Sequence, residues 1–178
     1  MLGLLGAGAQ SVANVSNGDS LTKLAQEAKT MVVPEFVTAL LKTAADARVA
    51  MVYLANQPAP PETLGQKTPY ESISADADFI LHLKIMFTGY RSASKESDYS
   101  PFALVRVLVI DRKTQERVVQ KVAAIGWETK SKTALVALGS TEPKYSSVNA
   151  LLSDSSAALA GLSKALTTVA EAIPAKLP

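Results

Sequence analysis

Histidine occurs once in this chain, at His82, and cysteine not at all, so acid–base and nucleophilic chemistry have few side chains to draw on. Thiol catalysis, cysteine ligation and disulfides are excluded. A multi-histidine zinc site or a Ser-His-Asp triad would have to be built around His82 alone. His82 falls near Lys84 on the less apolar side of an alternating segment, with no convergent acidic or imidazole partner, and reads as a surface or half-buried sheet histidine. Asp76 and Asp78 could ligate a hard cation only if oxygen ligands arrived from distant loops. Without an EF-hand pattern, they are expected to cap and solubilise a turn.

The run Leu5-Gly6-Ala7-Gly8 has the glycines of a phosphate loop, but no strand precedes it and no Gly-Lys-Ser/Thr follows, which rejects that reading. Arg91, Lys95 and Tyr99 lie in RSASKESDYS, a composition able to meet phosphate or single-stranded nucleic acid. Glu96 and Asp98 balance that charge, and a stacking platform needs several aromatics, so a solvated hairpin loop is expected. Tyr90, Tyr99 and Trp127 stand as candidate interface anchors, with packing in the core or rim as the plainer role for Trp127. The chain is therefore expected to hold no catalytic residue, cofactor or metal, although two correctly spaced acids would suffice for glycoside hydrolysis.

Elements to position these residues follow from periodicity. Ser20 is a plausible N-cap for a helix that runs past Pro34 to about Ala47, broken or kinked there, with Phe36, Val37, Leu40, Leu41, Ala44 and Ala47 on its apolar face. Val49 to Leu54 reads as a short strand, with the last turns of the preceding helix as the alternative, and either is ended by the prolines at 58, 60 and 61 within a loop from Ala55 to Pro69. Phe79, Leu81, Leu83, Ile85 and Phe87 alternate with Ile80, His82, Lys84, Met86 and Thr88, a period-2 strand with one apolar face.

After the polar loop Arg91 to Ser100, the run Phe102 to Ile110 is β-branched and apolar; the turn Asp111 to Glu116 joins it to Val118 to Glu128 as an antiparallel hairpin. A three-stranded meander results. Ala134 to Leu138 is either loop or a short edge strand. Val148, Leu151, Leu152, Ser155, Leu159, Leu162, Leu166, Val169 and Ile173 form a long stripe, predicting one helix from Tyr145 to Ala172 with Pro174 beyond it. The fold class is α+β: an antiparallel sheet of three to five strands packed against an N-terminal and a long C-terminal amphipathic helix.

A chain of 178 residues fits one domain, drawn here as 20–178, with 1–19 as an arm or signal remnant. MLGLLGAGAQSVA is small and apolar, and Ser11-Val12-Ala13 fits a small-x-small cleavage pattern, although the basic segment of a secretion signal is missing. A trimmed signal, a start-site artefact and an ordered apolar arm all fit it. No stretch approaches the roughly 20 apolar residues that span a bilayer. A net charge of +2 makes no electrostatic footprint for nucleic acid.

The segments ADADFILHLKI, from Ala75, and VLVIDRKTQE, from Val107, followed by a closing helix, resemble small bacterial envelope lipoproteins. In the curli-secretion-channel-like and TolB-N-terminal-like α/β group, an ADY-type hydrophobic strand precedes a strand–D-x-x-T-G-E hairpin and a terminal amphipathic helix. Ala75 to Ala172 carry the resemblance; Gln115 stands where that hairpin has glycine, and the chain offers no lipid-accepting cysteine. The resemblance implies an envelope structural or assembly factor, periplasmic or associated with the outer membrane, rather than an enzyme. A cytoplasmic location is the alternative.

The expected function is a non-enzymatic module that binds another envelope protein, or itself, through a sheet edge or a helix face, with peripheral membrane association open. The alternative is a periplasmic carrier whose sheet and helices enclose an apolar pocket for a small molecule or lipid.

Overall fold

The structure, a computed structural model, describes residues 32–51, 53, 70–73, 76–92, 97–126, 134–138 and 142–176. Its order is helix α1 (residues 32–46), a 3-10 turn Tyr70–Ser72, strands β1 (Phe79–Arg91), β2 (Ser100–Asp111), β3 (Arg117–Ile125) and β4 (Ala134–Leu138), then helices α2 (Val148–Ser153) and α3 (Ser155–Ala172), closed by a 3-10 turn Pro174–Lys176. The strands form one sheet in the order β1-β2-β3-β4. The class is α+β, and the meander β1-β2-β3 is antiparallel as the alternation predicts. Ala134–Leu138 is the short strand, but it pairs parallel to β3, so the sheet is mixed rather than wholly antiparallel.

Along β2, Ala103, Val105 and Val107 face the helices because successive strand residues alternate sides. Against them pack Val32, Phe36 and Leu40 of α1, four apart, and Leu162, Ala165, Leu166, Val169 and Ala170 of α3, at spacings of three and four. Leu81, Leu83 and Ile85 of β1 pack on the rim of this core. Both helices thus lie on one face of the sheet. On the other face, Tyr70 and Ile73 cover Leu108 and Ile110, with Ile80 beside them.

Three boundaries depart from expectation, each for a local reason. Residues 49–51 and 53 form no strand, because the chain is still closing α1: the Val49 amide bonds Ala44 O at 2.8 Å and the Arg48 amide bonds Ala45 O at 3.0 Å. This is a Schellman cap, with Arg48 at φ 59° in the position glycine usually fills. β3 stops at Ile125 because Gly126, at φ 64°, turns the backbone out of the extended region. A Cβ there would overlap the Pro101 carbonyl, so only glycine fits.

The third departure is the C-terminal helix, which does not begin at Tyr145. Tyr145 forms a β-bridge with Tyr99, Ser147 caps α2 by accepting from the Ala150 amide, and Asp154 at φ −122°, ψ 50° separates α2 from α3. The stripe in the sequence continues through the break, since Leu151 is buried on one side of it and Leu162 and Leu166 on the other.

The β2–β3 turn is held by Asp111. Its Oδ1 accepts from the Thr114 amide at 2.8 Å, its carbonyl accepts from the Gln115 amide at 2.8 Å, and its own amide donates to Glu116 O at 2.9 Å. The hydrogen bond from the Thr114 amide, then that of the Thr114 side chain and that of the Lys113 backbone, hold the Asp111 carboxyl below its ordinary value. Gln115 sits at φ 59°, the left-handed region, and its Nε2 donates to Arg112 O at 2.7 Å. The residue occupying the glycine position of the resembled hairpin therefore adopts a glycine-like backbone. The apolar run Met1–Ala13, the loop 55–69, Lys95 and Trp127 lie outside the described residues.

Candidate functional site

Tyr90 and Tyr99 meet around Tyr145. Tyr99 and Tyr145 exchange backbone hydrogen bonds of 2.7 and 2.9 Å, which brings the end of the β1–β2 loop to the start of the α2 segment. The Tyr90 and Tyr145 rings are edge-on with centroids 5.5 Å apart, a favoured aromatic geometry. Tyr90 Oη donates to Ala158 O at 3.1 Å and Tyr145 Oη to Asp154 O at 3.4 Å, so both hydroxyls are turned into the α2–α3 junction. Burial, then the neighbouring Tyr145 and Asp154, raises the Tyr90 phenol, and burial raises that of Tyr145. At neutral pH these groups fasten helix to sheet.

Beside this cluster a shallow, open groove of about 320 Å³ runs along α3 between Glu142, Pro143, Ala157, Ala160, Gly161 and Lys164. Gly161 lets Tyr90 Oη and Pro143 approach the helix; a Cβ would overlap both. The groove brings together one carboxylate and one ammonium, and the same Glu142 carboxylate lies 3.8 Å from Lys144 Nζ. Among the described residues no group of three or more His, Asp or Glu side chains could hold a metal ion.

His82 is half-buried on the face of β1 away from the helices, and the partner sequence reading missed is Tyr70, 2.7 Å away from Nδ1 to Oη. The rings are edge-on at 5.7 Å, which pins the 3-10 turn to the sheet. One row along, Lys84 is opposite Arg106, whose Nε and Nη2 are buried. Asp76 and Asp78 are exposed where the chain enters β1, and the Asp78 carbonyl accepts from the Arg112 amide at 3.0 Å.

That last bond fixes the polarity of the β1 edge. Backbone groups alternate sides along a strand, so if Asp78 turns its carbonyl to β2, the odd-numbered Phe79, Leu81, Leu83 and Ile85 turn their amides and carbonyls outward. β1 is the outer strand of the sheet and is 13 residues long, well beyond the usual ~5–6. Its side chains Phe79 and Phe87 are 51% and 42% exposed, and Lys84 is exposed between them. A bulge between Ile85 and Phe87 ends the regular stretch. No described strand pairs with the outward groups.

No protein-family model, curated protein or solved structure matches the chain. Among the described residues, no helix is long and apolar enough to cross a membrane.

Proposed function

We propose that this chain is a non-enzymatic protein-docking module of the bacterial cell envelope, and that it receives an extended strand along β1. The observation that carries this reading is the outward row of backbone groups from Phe79 to Ile85, flanked by exposed Phe79 and Phe87. An incoming strand would gain main-chain hydrogen bonds there and cover apolar side chains, the mode by which sheet edges recruit extended segments. The envelope setting, periplasmic or at the outer membrane, rests on the resemblance that the strand–hairpin–helix pattern from Ala75 to Ala172 bears to envelope lipoproteins. The left-handed backbone at Gln115, where that pattern has glycine, agrees with it.

The filled interior favours docking over a carrier. Val105, Val107, Leu162, Leu166 and Val169 close on one another between sheet and helices with no exposed surface to spare. The test is site-specific photo-cross-linking in the source cells, with the photoreactive residue at Phe79 or Phe87 and a control at exposed Glu171 of α3. Protein adducts at the β1 positions and none at Glu171 are expected. Equal labelling at all positions, or adducts to lipid alone, would remove the reading. Fractionation with mass spectrometry of the mature N-terminus checks the compartment, and an intact cytoplasmic chain would overturn it.

A further inference from the structure

We draw no further inference here: the strongest candidate, the outward edge of β1 from Phe79 to Ile85 with the exposed Phe79 and Phe87 rings beside it, belongs to the docking surface already described, and nothing in the structure shows what covers it.

Discussion

Tyr90, near the end of β1, donates its hydroxyl hydrogen to the carbonyl of Ala158 within α3, 3.1 Å away. The bond joins the outer strand to the C-terminal helix, and the edge-on Tyr145 ring covers it from the side of α2. Three segments distant in sequence are thereby held at one corner of the sheet.

Tyr90→Phe should lower stability by about 0.5–1.5 kcal/mol, the net worth of one such hydrogen bond. The pH dependence is more diagnostic. Burial raises the Tyr90 phenol above its ordinary 10.0, so the folded state keeps its proton after the unfolded chain has lost it. The stabilising contribution is full below pH 10 and is lost as pH rises further. Urea midpoints measured from about pH 8 to 11 should fall for wild type above pH ~10 and fall less steeply for Tyr90→Phe. Identical slopes would show that Tyr90 is not the group responsible.

Gly161→Ala pits two effects against each other. Alanine favours the helix by about 1 kcal/mol, whereas overlap with Tyr90 Oη and Pro143 should cost about 1–3 kcal/mol. Net destabilisation is expected in urea unfolding. The cost should shrink when Tyr90→Phe is combined with it, because one of the two obstructing atoms is then gone.

Arg48 and Gln115 both occupy the left-handed region. Arg48 is exposed at the Schellman cap, so Arg48→Gly should stabilise by about 1 kcal/mol and raise Tm by about 2–4 °C. Gln115→Gly should change little, since relief of the backbone is offset by losing the bond to Arg112 O. Gln115→Val, β-branched and without that bond, should lower Tm. Calorimetry on the three variants checks the order.

Asp111 governs the hairpin turn at low pH. The Thr114 amide, the largest influence, lowers its carboxyl below the ordinary 3.8, so its stabilising effect is present above that value and is lost as pH falls through the folded value. The Thr114 amide proton shift followed by NMR should titrate below pH 3.8. Asp111→Asn should abolish that titration, and Asp111→Ala should speed hydrogen exchange at the Thr114 and Gln115 amides.

The sequence by itself determined the elements whose patterns are local. Phe79 to Ile85 alternate, Phe102 to Ile110 are β-branched, and Leu162, Leu166 and Val169 repeat at helical spacing, and each became the element it predicts; the alternation does not carry on to Phe87 and Thr88, because the bulge after Ile85 leaves Phe87 exposed and Thr88 buried. Tyr90 and Tyr99 could be singled out as aromatics near strand ends, but their sequence did not disclose Tyr145, because the pairing that unites them closes over dozens of residues. The Tyr70–His82 bond, although only 12 residues separate the partners, was hidden because it joins a 3-10 turn to the sheet, a contact that no periodic pattern marks. Only the tertiary structure decided that Val49 ends a helix instead of starting a strand, that Asp154 breaks an unbroken apolar stripe, and that β4 joins β3 in parallel. A backbone reversal or a strand partner is chosen by hydrogen bonds and packing between remote segments, which a periodic pattern cannot encode. That β1 is the outer strand among the described residues is likewise a fact of sheet order, fixed only once β2 had taken its other side.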